Sequence, residues 1–243
     1  MQRLAATIPA ARLAPYVHAQ PTNPIGLYRW ATGVSLAVFD DIGCVEVALR
    51  SAMARELAGA FGDAWFRRDE LFDDSTRGMI AEAWRRGRLD LLDATSDVVA
   101  GTLVATLNFG IWVKLLGRGS FSTASGSRER RIYDSLLCKP ALRSAFPGAG
   151  DLDRSMVESV ARRVQALRNR IAHHEHIVWG VPLAGERAAD GSFRRIPLVE
   201  AHRAVTALAA FIDPGLASWL DDYSRVPELL AACPADEEAL LLA

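Results

Sequence analysis

Residues 168–177 read RNRIAHHEHI, setting two arginines, an asparagine, a glutamate and three of the chain's five histidines side by side. Those residue types suit the cutting of RNA without a metal. The reaction needs a base for the ribose 2′-OH proton, a cation for the crowded phosphorus and an acid for the departing 5′-oxygen. Imidazole titrates near neutrality and can be base or acid. Arginine grips two phosphate oxygens in its planar fork as charge builds, and asparagine can orient an imidazole or donate to a phosphate. Two other readings stand beside this one. Histidine and arginine are favourable at any helix C-terminus, where carbonyls lack partners. A metal is the third, with His173 and His176 at i and i+3 and Glu175 assisting. It ranks last because His174 points elsewhere, His18 and His202 are isolated, and no second ligand cluster occurs. No metal or cofactor is expected.

The elements that position this stretch follow from helical spacing. Met156, Val160, Val164, Leu167 and Ile171 form one apolar stripe, so the motif falls on the last turns of an amphipathic helix capped by Asp151 or Asp153. At about 100° per residue, Asn169 stacks with His173 and Arg170 with His174, while Ile171 anchors the opposite side. Arg168 and His173 are about 140° apart, close enough for a long arginine to share a phosphate lying off the helix end.

Upstream, an apolar period from Leu36 predicts a long helix from near Leu27 to Gly62, carrying Glu46 and Arg50 as an i, i+4 pair. Asp73 to Thr76 offer caps for a polar helix ending at Arg86 and Gly87, and a third helix is expected from Ser96 to Leu116 with Phe109 and Trp112 in the core. "GRGSFSTASGSRER" reads as a flexible connection, followed by short helices at Ile132–Cys138 and Pro140–Phe146. A loop or small hairpin turns at Asp190-Gly191, then helices run from Leu198 to Ile212 and from Pro214 to Tyr223. The reading is an all-α chain: an extension at 1–26, one helical domain at 27–232 and a flexible tail at 233–243.

Composition bounds the rest. With 243 residues, 50% of them hydrophobic, the chain can bury a large core. A net charge of −1 excludes a uniformly basic nucleic-acid binder but not a local basic face. Of the 28 basic residues only Lys114 and Lys139 are lysines, so planar forks dominate. Cys44, Cys138 and Cys233 are far apart and lack metal-ligand spacing, which points to buried thiols in a reducing compartment. The N-terminus lacks a signal-peptide run, and the apolar stretch Val98–Leu116 is interrupted by Asn108 and Lys114. A cytoplasmic protein with no membrane partner is expected.

An Arg-Asn pair with four residues between that Arg and a His resembles the motif of HEPN-domain proteins, and "LRNRIAHHEHI" is similar in particular to the Abi-like (abortive infection) bacterial family. "LYRW" at 27–30, "IGCVEVALRSAMARELAGAFGDAWF" at 42–66 and "LNFGIWVKLL" at 107–116 fit the same family in order, covering roughly residues 20–232. The resemblance implies a HEPN-like helical bundle with extra helices, working as a homodimer. It implies a metal-independent endoribonuclease that leaves a 2′,3′-cyclic phosphate, used as a toxin or phage-defence effector, with RNA as partner and an antitoxin or small RNA as regulator. Arg168 would then bind the scissile phosphate, His173 would be the base or acid and Asn169 would orient it. His174 is the alternative histidine, Arg170 and Arg50 are supports, and Glu46 would touch Arg168 or His173. Related toxins silenced by a nucleotidyltransferase antitoxin carry a tyrosine where this chain has Glu175, so silencing of that kind is not expected. The alternative is a non-catalytic HEPN module that binds RNA or protein.

Overall fold

A computed structural model describes residues 7–92 and 97–235. Helices make up 67% of it, so the fold is mostly α, with two small two-stranded sheets, one of them at the expected loop or hairpin around Asp190-Gly191. The chain forms two compact units, each built from distant segments. The first draws on Met1–Cys44, Arg163–Ala207 and Ala217–Ala243, the second on Val45–Arg162 and Leu208–Leu216.

The first unit contains α1 (Ala10–Ala19), the start of α2 (Pro24–Phe61) and the end of the motif helix. Part of the expected N-terminal extension is therefore helical, with Leu13, Tyr16 and Ala19 buried and Tyr16 edge-on to Tyr28 at 5.1 Å. The hairpin expected at Asp190-Gly191 is present. Strands Val181–Arg187 and Phe193–Ile196 pair antiparallel, and Ser192 N donates to Asp190 Oδ1 at 2.9 Å across the turn. Gly180 opens the hairpin at φ +71°, where an added Cβ would lie 2.3 Å from the Ile196 carbonyl oxygen, so only glycine fits. The helices Leu198–Ile212 and Pro214–Tyr223 match their expected bounds, and Val226–Ala231 forms a last short helix. Buried Asp41 ties three of these segments together. Its Oδ2 lies 2.8 Å from His202 Nε2 and accepts from Ser224 Oγ at 2.6 Å.

In the second unit α3 spans Asp74–Arg86, its start fixed by Asp73, whose Oδ1 accepts from Thr76 N at 2.7 Å. Tyr133 completes that cap. Its hydroxyl accepts from Asp73 N at 3.1 Å, lies 2.7 Å from Thr76 Oγ1, and is pushed up to about 12 by burial. The helix expected from Ser96 to Leu116 is instead two, α4 (Asp97–Thr106) and α5 (Phe109–Leu115), bent by 96°; Ser96 itself lies outside the described residues. The break is at Asn108, which is extended and accepts from Ile111 N at 3.2 Å, so a side-chain cap restarts the helix. Phe109 and Trp112 are core, as expected. The expected flexible connection carries a two-residue ladder, Phe121–Ser122 against Glu129–Arg130. The short helices expected at Ile132–Cys138 and Pro140–Phe146 are one π turn, Asp134–Cys138, and one 3₁₀ turn, Leu142–Ala145.

No single helix among the described residues is long and apolar enough to cross a membrane. The three cysteines are free thiols, with Cys138 buried but Cys44 and Cys233 only partly so. Of the expected tail, residues 236–243 lie outside the described residues.

Candidate functional site

The motif helix, α6, runs Arg154–Ala172 and gives its last ten residues to the first unit. Val164, Leu167 and Ile171 are buried as the stripe required. Its first turns are rotated: Val157 and Ala161 are the buried residues there, and Met156 is 52% exposed.

The helix stops one residue before the histidines, in place of carrying them on its last turn. His173 N still donates to the Asn169 carbonyl at 2.9 Å, so His173 follows the helical path as the capping residue. His174 then turns left-handed, at φ 55°. Its N–H donates to the Ile171 carbonyl and Glu175 N–H to the Arg170 carbonyl, both at 2.9 Å. That pair of bonds is a Schellman termination, with histidine where glycine is usual.

Arg170 locks the turn. Its side chain is 11% exposed, pairs through Nη1 with Glu175 at 2.7 Å, and donates through Nε to the His176 carbonyl at 2.5 Å. Nη2 lies 3.3 Å from His176 Nε2. A guanidinium has only donors, so Nε2 is the acceptor and the ring proton sits on Nδ1. Burial, then the charges of Arg170, Arg195 and Arg12, push His176 down to about 4, and the ring is neutral at pH 7. Trp179 meets this imidazole edge-on at 5.0 Å and meets His18 of α1 at 5.7 Å. Arg195 is tethered beside them, with Nε on the Trp179 carbonyl at 2.6 Å and Nη2 on the Gly180 carbonyl at 3.0 Å.

The three neighbouring histidines thus fall into two kinds. His173 and His174 are exposed, as is Asn169, and Arg168 is half-buried. His176 is packed and neutral, and the sequence alone offers it only as a partner in the metal reading. The apolar "IVWG" after it was the available signal, since it carries the chain inward. Arg170, expected as a support, proves to be the buried brace of the turn. Glu46 and Arg50 are half-buried on α2 and belong to the second unit. Among the described residues no hydrogen bond joins the side chains of Asn169 and His173, and no group of three His, Cys, Asp or Glu is arranged to hold a metal ion.

The fold and site together define a mostly helical protein that presents imidazole and guanidinium groups at a braced helix end. No protein-family model matches the chain, and no curated protein or solved structure does either.

Proposed function

We propose that the chain is a cytoplasmic, metal-independent endoribonuclease of the HEPN type, acting as a toxin or abortive-infection effector. The observation that carries the reading is the exposed pair of histidines set beside Arg168 and Asn169 by a Schellman turn that Arg170 holds rigid. His173 takes the 2′-OH proton, O2′ bonds to phosphorus, and the P–O5′ bond breaks to leave a 2′,3′-cyclic phosphate. The departing O5′ takes its proton from a second imidazole, supplied by a second copy of the chain across a two-fold axis. Arg168 holds the non-bridging oxygens as charge accumulates, and Asn169 holds the phosphate as a neutral donor.

A second reading is a module that binds RNA without cutting it. It is favoured by the missing side-chain bond between Asn169 and His173, which leaves the imidazole without an orienting partner on its own helix. One experiment separates the two: cleavage of a labelled structured RNA in excess EDTA by wild type, His173→Ala and His174→Ala. Cyclic-phosphate ends that vanish in His173→Ala support the enzyme, and removing one acid–base group costs about 10²–10⁴-fold. Loss in His174→Ala instead moves the base by one residue. Tight RNA binding without cutting, unchanged in both variants, supports the binding module.

A further inference from the structure

Four residues beyond His173 the chain enters the wall of a cavity of about 510 Å³, within the first unit. Trp30, Ile177, Trp179, Leu198, Leu230 and Arg195 line it, and its described lining includes no carboxylate. That volume lies within the range of clefts that enclose small organic ligands. Both indoles are held in place. Trp30 Nε1 donates to the Leu229 carbonyl at 2.7 Å, and Trp179 is fixed by its edge-on contacts with His18 and His176. Rigid aromatic rings lose little freedom when they stack on a planar ligand.

The charged group at this wall is Arg195. Its Nε and Nη2 are committed to the carbonyls of Trp179 and Gly180, while Nη1 has no partner among the described residues. Arg12 and Arg170 lie near enough to act on the same His176, and Arg170 is paired with Glu175, which also acts on Arg195. A fixed guanidinium, two fixed indoles and an apolar floor fit a flat heterocycle carrying a phosphate. A fatty acid would use the floor and the cation but gain nothing from the indoles.

We propose that this cavity holds one nucleobase of a single-stranded RNA, with that nucleotide's phosphate on Arg195. The base so held sets which linkage reaches the histidines; the choice of an RNA strand and this consequence rest on the function proposed above, the nucleotide site itself does not.

The test uses the full chain, with adenosine 3′-monophosphate and uridine 3′-monophosphate as probes in calorimetry, and dodecanoate and inorganic phosphate as controls. Val199 lines the cavity from the first turn of its helix and is 45% exposed, so Val199→Trp fills the pocket from its rim without disturbing the core. Arg195→Ala removes the cation; should it fail to fold, Val199→Trp carries the test alone. The expected result is nucleotide binding that weakens about tenfold or more in each variant, since stacking one base is worth that much. The KM for RNA cleavage rises by a similar factor with kcat little changed. Equal nucleotide affinity in wild type and Val199→Trp, or binding of dodecanoate but neither nucleotide, overturns the proposal. RNA cut with unchanged KM by both variants sinks the pocket and leaves the endoribonuclease reading standing. Nucleotide binding that Val199→Trp abolishes, in a chain that cuts no RNA, does the reverse.

Discussion

At the scale of single residues, histidine identity decides less than histidine surroundings. His173, His174 and His176 lie within four positions, yet only the third is enclosed, and enclosure beside three guanidiniums fixes its protonation state. In the unfolded chain an imidazole takes up its proton near 6.5; in the fold His176 does so only at about 4. Between those values the unfolded chain binds the extra proton and the native one does not. Stability therefore falls as pH drops through that window, while above about 6.5 the group has no effect on the slope. Because His176 is only partly buried, screening keeps the effect below what the full shift would give. His176→Gln keeps an acceptor for Arg170 Nη2 and does not titrate. Its unfolding midpoint in urea should fall less between about pH 7 and pH 4.5 than that of the wild type. Parallel pH profiles for the two proteins would mean that His176 is protonated in the native state.

At the scale of elements, the end of α6 carries a testable cost. A side chain at φ 55° crowds its own carbonyl, which is why the position after a helix cap usually holds glycine. His174→Gly should raise stability by roughly 0.5–1 kcal/mol, and RNA cleavage should survive if His173 is the base. A drop in stability would mean that the His174 ring makes contacts worth more than the strain. The same element shows what was legible in the sequence. Asp73 and Gly87 bracket α3 by local chemistry that acts within four residues, so the sequence located both of its ends. The stripe on α6 is legible from Val164 onward, but in its earlier turns Val157 and Met156 are equally apolar and only packing chooses between them. Asn108 reads in sequence as a polar interruption, yet as a cap it breaks one expected helix into two. The lowered pKa of His176 is not legible there, because beyond burial it takes in the charges of Arg12 and Arg195, which spacing along the motif cannot bring into view.

At the scale of the whole molecule, the first unit has to join three stretches of chain that begin far apart in sequence. Apolar packing brings them together without directionality, and buried polar contacts then fix which residues meet. Asp41 is the clearest such contact. It sits at 4% exposure on α2 and accepts from Ser224, 183 positions away, and it contacts His202, 161 positions away. Ser224 Oγ in turn accepts from Val226 N at 3.2 Å, so the tie extends into the last helix. Removing the carboxylate strands a buried imidazole and a hydroxyl together, and each buried polar group left without its partner costs about 1–3 kcal/mol. Asp41→Ala should therefore lower the urea midpoint sharply, while Asp40→Ala, on the exposed side of the same helix, should not. Hydrogen exchange locates the effect. Amides near residues 41, 202 and 224 should lose protection together, because one group holds all three, whereas loss confined to α2 would mean that the three segments are held by apolar packing alone.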